Sequence, residues 1–277
     1  MSSTDQFKGW TKPGPRLSTE PQPVAGVTLD AISGHFRIYQ LRDGHRFSTD
    51  DILTAWYGTA WAPSVERALD LGSGIGTVAM VAAWRLPGAQ FTTVEAQEVS
   101  VALARKSAIY NQLINRFDIR QGDFRDAGIL GVDELFDLVL GSPPYFPLGT
   151  GIEGDHPQKI ACRFEVRGNV KDYCKVACEH LAPGGVFALI FPQQDDQARR
   201  VAEGAKENGL TIVRQRPVRL REQDDPLLCL HLMARSADLP EWIRDSTWKE
   251  PDLIIRTKEG AIHPEYSAIK MSFGFPP

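Results

Sequence analysis

The chain has 277 residues, 42% hydrophobic and 24% charged, enough apolar material for a full core, which excludes a disordered chain or a small stapled scaffold. Lys and Arg number 31 against 35 Asp and Glu, a net charge of -4, so binding to a polyanion has to come from a local patch; a histone-like or tail-driven nucleic-acid binder is excluded. Cys162, Cys174, Cys178 and Cys229 form no CxxC pair, and the most apolar runs (78–84 and 186–191) fall well short of the ~20 residues of a spanning helix, so reduced thiols and a cytoplasmic, membrane-free protein are expected.

In chain order, residues 1–30 carry Pro13, Pro15, Pro21 and Pro23 with little periodicity, which predicts a Pro-rich N-terminal arm, mobile or strapped to the surface. Residues 31–66 form an N-terminal cap: FRIYQ alternates like a strand, DGHR is a turn, and STDDILTAWYGTAW is a helix capped by Ser48 or Thr49. From 67 to 235 short β-rich runs (RALDL, QFTTVE, FDIRQ, FDLVLG, GVFALIF, TIVRQR, LCLHLMA) alternate with helices near 75–84, 98–112, 170–181 and 195–208, the last ended by Gly209. That alternation predicts an α/β fold, a Rossmann-like seven-stranded sheet with helices on both faces and the last strand antiparallel. Residues 236–277 are an extension packed on this core, in which LIIRTKEGAIHPEYS reads as a small hairpin.

The segment ALDLGSGIGT (68–77) sets Gly72, Gly74 and Gly76 directly after a strand and before a helix, at the edge where open α/β sheets bind ligands. A dinucleotide fingerprint needs a third glycine where Thr77 stands, so a pyrophosphate is disfavoured, and with it an NAD-dependent oxidoreductase. Asp70 aims at the loop beside Ser73 and suits a cationic amino group. Glu95, ending the next strand, suits two ribose hydroxyls, and Asp123 with Phe124 suits an adenine amine and its ring face. The alternative is a plain strand-to-helix turn.

After the fourth strand comes LVLGSPPY (138–145). Pro143 and Pro144 fix φ and remove two donors, Ser142 adds a hydroxyl acceptor, and Tyr145 adds a flat ring for stacking. Two acceptors on the hydrogens of a planar amine return electron density to its nitrogen and aim the lone pair at an electrophile, without a metal.

These two motifs resemble those of class I S-adenosylmethionine-dependent methyltransferases, in which the Asp-x-Gly-x-Gly-x-Gly loop holds the methionine end and the acid at Glu95 the ribose. The tetrad resembles the Asn/Asp/Ser-Pro-Pro-Tyr/Phe/Trp motif of enzymes acting on adenine N6, cytosine N4, guanine N2 or glutamine amides, with Ser142 in place of the commoner Asn. YQLRDGHRFSTDDIL (39–53), ACRFE (161–165) and EPDLII (250–255) followed by Tyr266 and Ser267 are similar to stretches of the bacterial tRNA adenine-N6 methyltransferases that modify a valine tRNA beside its anticodon. That resemblance implies an S-adenosyl-L-methionine cofactor and an RNA partner, with protein glutamine methylation or a catalytically inactive adaptor as alternatives.

Thr49 and Asp50 either cap their helix or line the transfer site. Arg163 either pairs with Glu165 or meets a phosphate. Arg214, Arg216, Arg219 and Arg221 alternate along a strand and suggest a phosphate-binding ridge, which Lys171 and Lys175 would widen; a solvated sheet edge is the alternative. Cys174 and Cys178 share a helix face, read as buried packing rather than a metal site.

Overall fold

The computed structural model describes residues 6–7, 9–150 and 156–276. Two short strands, β1 (Gln6–Phe7) and β2 (Trp10–Thr11), open the chain. The segment that follows lies on the surface as a strap, with Ser18 Oγ accepting from Gln112 Nε2 at 2.7 Å and the Gln22 amide donating to the Tyr39 hydroxyl at 2.9 Å. The boundary expected near residue 30 falls inside a strand. β3 (Val27–Ser33) and β4 (Phe36–Leu41) form an antiparallel hairpin.

α1 (Thr49–Trp61) starts at Ser48, which makes a reciprocal capping box with Asp51. β5 (Arg67–Leu71), α2 (Thr77–Arg85), β6 (Gln90–Glu95), α3 (Glu98–Tyr110), β7 (Phe117–Gln121) and β8 (Phe136–Gly141) follow the expected alternation. Next come α4 (Pro157–Arg163), α5 (Val170–His180), β9 (Leu181–Pro192), α6 (Asp195–Glu207), β10 (Leu210–Arg221) and β11 (Leu228–Arg235). The extension adds β12 (Trp248–Lys249), β13 (Leu253–Arg256) and α7 (Pro264–Ser272).

The central sheet runs β12-β10-β11-β9-β8-β5-β6-β7, with β13 also on β10. β9, β8, β5, β6 and β7 are parallel, while β11 is antiparallel to both its neighbours, as expected of the last of seven core strands. Both faces are buried, which is why these strands read as unbroken apolar runs. β12 and β13 widen the sheet to nine strands among the described residues by pairing in parallel with β10. The expected C-terminal hairpin is reduced to a single bridge between Arg256 and Ile262, and its second half is the helix α7.

Two contacts position the cap over the sheet's carboxyl edge. A Cβ on Gly58 would lie 2.7 Å from Leu140 Cδ2, so the glycine lets α1 lie close against the strands without displacing that leucine. The hairpin edge is satisfied by α3, since Asn111 exchanges two hydrogen bonds with the Arg37 backbone and Ser107 Oγ accepts from the Tyr39 amide at 2.9 Å. No helix among the described residues is long and apolar enough to cross a membrane.

Candidate active site

A cavity of ≈ 370 Å³ opens at the carboxyl ends of β5, β6 and β8, roofed by the start of α1 and by α4. Its floor is the glycine loop. Gly72, Gly74 and Gly76 all have left-handed φ (+59°, +55° and +86°), and Gly76 is the N-cap of α2. Asp70, buried on β5, accepts from the Ala79 amide in the first turn of α2 at 3.1 Å, and burial pushes its carboxyl well above the usual range.

Glu95 ties the loop to the next strand. One oxygen accepts from the Gly74 amide at 2.9 Å and the other from the Gln97 amide at 2.6 Å, and the residue lines the cavity. Burial raises its pKa against those bonds. Asp123 also lines the cavity, but its carboxylate accepts three bonds from Arg125, which hold it below the usual range. Phe124 meets the Tyr173 ring edge-on at 4.7 Å.

Ser142, Pro143, Pro144 and Tyr145 leave β8 into this same cavity. Both prolines are buried, and no described residue donates a hydrogen bond to the Pro143 carbonyl. The Tyr145 ring stands edge-on to Phe191 at 5.7 Å, and its hydroxyl donates to Asp50 Oδ2 at 2.6 Å. Burial and the Asp50 carboxylate together drive the phenol pKa up, so the shared proton stays on the tyrosine at neutral pH.

The sequence expectations divide here. Asp70, Gly72, Ser73, Gly74, Glu95, Asp123, Phe124, Asp50, Arg163 and the tetrad converge on one cavity, with Gly76 one residue behind it. Thr49 turns away: its hydroxyl accepts from Tyr266 at 3.4 Å on the far side of α1. Glu165 is the partner of Arg200 rather than of Arg163, which has no carboxylate partner among the described residues. The arginine ridge is closed, and the edge strand reading also falls, because β12 and β13 cover β10. Arg214 pairs with Glu250 at 3.1 Å between the rings of Trp61 and Trp248, Arg216 with Glu265, and Arg219 with Asp252 at 2.5 Å. Lys171 is held by Glu203 and Glu207, so it widens no patch. Tyr173, Asp51, His45 and Arg167 also line the cavity and were not anticipated. The helix spacing of Val170, Tyr173, Cys174 and Ala177 marks a buried face, the one signal that points to Tyr173.

The family model for the methyltransferase small domain matches residues 59–203, from the end of α1 through the glycine loop and the tetrad into α6. The chain belongs to that family. Among curated relatives, a Porphyromonas gingivalis protein named tRNA1(Val) (adenine(37)-N6)-methyltransferase is 30% identical over 162 residues, 57% of this chain and 63% of that protein. The chain thus spans less than two thirds of that relative's length. A Shewanella amazonensis protein of the same name is 30% identical over 172 residues, 60% of this chain and 70% of its own. Among solved structures, an Agrobacterium tumefaciens protein described as a predicted O-methyltransferase superimposes with a TM-score of 0.61 at 19% identity, over 82% of this chain and 98% of its own. At that identity the likeness is one of fold.

Proposed function

We propose that this chain transfers the methyl group of S-adenosylmethionine to the N6 amine of an adenine in tRNA. The observation that carries the reading is that the Ser142 to Tyr145 tetrad and the glycine loop with Glu95 face one cavity. The residues present suit the cofactor. A Cβ on Gly74 would meet nothing within 4 Å, so the loop leaves room for a ligand against its backbone, and Ser73 Oγ is buried without a partner. Asp70, Ser73 and the loop glycines would hold its amino-acid end, Glu95 its ribose, and Phe124 with Asp123 its adenine. When bound, it supplies a methyl group on a sulfonium, an electrophile that needs no metal.

The chain's own part is to prepare the nucleophile. The Ser142 hydroxyl and the free Pro143 carbonyl accept the two hydrogens of the target amine, which localises its lone pair and fixes its direction. Tyr145 gives the base a ring to lie on, and Asp50 holds that ring in place through its hydroxyl. As the bond from nitrogen to the methyl forms, the methyl–sulfur bond breaks and its electron pair stays on sulfur, leaving a neutral thioether, and the positively charged methylated amine then loses one proton to water without a dedicated base. Arg163 and Arg167, exposed on the lip and lacking carboxylate partners among the described residues, suit the flanking phosphates.

The test is incubation with tritiated S-adenosylmethionine and separate tRNA, DNA and ribosomal-protein fractions. Label in tRNA is expected. Label confined to protein would favour glutamine-amide transfer instead, and label nowhere would leave an adaptor.

A further inference from the structure

Of the four arginines along β10, Arg221 alone has no acid against it among the described residues, and it does not stand by itself. A second cleft, of ≈ 660 Å³, lies between the start of α1, the ends of β10 and β13, and α7, and Arg221, Arg256 and Lys270 all line it. Arg221 and Arg256 are direct partners in the parallel β10–β13 pairing, where strands run ~4.8 Å apart, a placement that is repulsive for like charges. Lys270 is half-buried, and burial together with Arg256 holds its pKa below the usual lysine value. None of the three has a carboxylate partner among the described residues; the Arg256 guanidinium donates to the Gly260 carbonyl at 3.0 Å, and Lys270 lies over the Phe275 ring at 5.4 Å.

Arg256 thus has a like charge on two sides, Arg221 across the strand pairing and Lys270 from α7, an arrangement that a bound anion would relieve. The cleft also adjoins the active site. Ser48 lines both cavities, and the Tyr266 hydroxyl on the cleft wall donates to Thr49, the neighbour of Asp50, at 3.4 Å. Phe47 and Phe275 add apolar rings to its wall. Cations spaced along a groove and interleaved with rings are what a single-stranded nucleic acid asks of its binder, phosphates on the one and bases on the other.

We infer that this cleft binds the phosphodiester backbone of the RNA on one side of the target nucleotide, with Arg221, Arg256 and Lys270 as its phosphate ligands. The inference rests on the RNA reading of the neighbouring cavity, and names where on the molecule that RNA is gripped. It moves the electrostatic contact from Arg214, Arg216 and Arg219, which hold the extension, to the cations that the extension leaves unpaired.

The experiment is fluorescence anisotropy of labelled bulk tRNA against salt, for wild type, the triple variant Arg221→Ala/Arg256→Ala/Lys270→Ala, and a charge-matched control, Arg37→Ala/Arg199→Ala/Lys206→Ala, outside both cavities. With ~0.7 counterions released per single-strand phosphate contact, the log-log slope should flatten by about 2 in the cleft variant and by less than about 0.5 in the control. Affinity for S-adenosylmethionine should be unchanged, and the melting temperature should hold or rise as the repulsion is removed. Equal slopes in the two variants, with wild type binding tRNA, would overturn the cleft assignment alone. A wild type that binds no tRNA would overturn the RNA reading as well. A cleft variant that melts earlier would show that the cations serve the fold.

Discussion

Changing Asp50 to Asn and Tyr145 to Phe, singly and together, decides whether Asp50 serves the methyl donor or the tyrosine. The phenol hydroxyl reaches Asp50 Oδ2 across 2.6 Å, within the short range of charge-assisted O–H···O bonds. Bonds of that kind contribute about 1.5–3 kcal/mol. Tyr145→Phe keeps the ring and its edge contact with Phe191 but leaves the Asp50 carboxylate half-buried without its donor. Urea unfolding should show each single change costing about 1.5–3 kcal/mol and the pair little more, a coupling of at least about 1.5 kcal/mol. In a methyl-transfer assay Tyr145→Phe should lose less than about tenfold in kcat/KM. Tyr145→Ala, which also removes a stacking surface worth ~1–3 kcal/mol, should lose at least about a hundredfold. A coupling below about 0.5 kcal/mol would refute the positioning role. So would Asp50→Asn weakening calorimetric binding of S-adenosylmethionine tenfold while Tyr145→Phe leaves it intact, for Asp50 would then belong to the cofactor.

Glu95→Ala should weaken S-adenosylmethionine binding by on the order of 10- to 100-fold in calorimetry, since it removes a charged acceptor whose bonds contribute about 1.5–3 kcal/mol each; unchanged affinity would contradict the ribose assignment. Arg214→Ala leaves Glu250 with the Tyr57 hydroxyl as its remaining donor and empties the slot between Trp61 and Trp248, and should cost about 1.5–3 kcal/mol in urea unfolding while leaving the tRNA salt slope unchanged. A slope flattened by about one unit would restore the ridge. Asp51, raised to about 7 by burial, keeps its proton in the folded chain where the unfolded chain has lost it. Its contribution to stability is complete below the unfolded value near 3.8 and is lost as pH rises through about 7, so the melting temperature of the unliganded protein should fall between pH 5 and 8. Asp51→Asn should flatten that fall, and an unaltered profile would exclude Asp51 as its cause.

What could be read along the chain was local. The strands of the parallel sheet are buried on both faces and therefore stand out as apolar runs, and the glycine loop and tetrad are contiguous, so their place at the carboxyl edge follows from the strands before them. β3 was hidden because VTLDAIS alternates only weakly behind a Pro-rich stretch, and α4 because its seven residues span barely two turns. Charge was misread for a different reason. The alternating arginines of β10 look like an open cationic face, but Glu250 lies 36 residues from Arg214 in sequence and Glu265 lies 49 from Arg216, so only the folded extension reveals their neutralisation. The Asp50–Tyr145 contact bridges 95 residues and brings together two motifs that each looked complete.

The most direct test of the central claim is nucleoside mass spectrometry of tRNA incubated with this protein and S-adenosylmethionine carrying a deuterated methyl group. The proposal that Ser142 Oγ and the Pro143 carbonyl hold the target amine predicts labelled N6-methyladenosine, absent when Tyr145 is replaced by Ala. Label on a ribose hydroxyl, on a ring nitrogen or on a base other than adenine would contradict it.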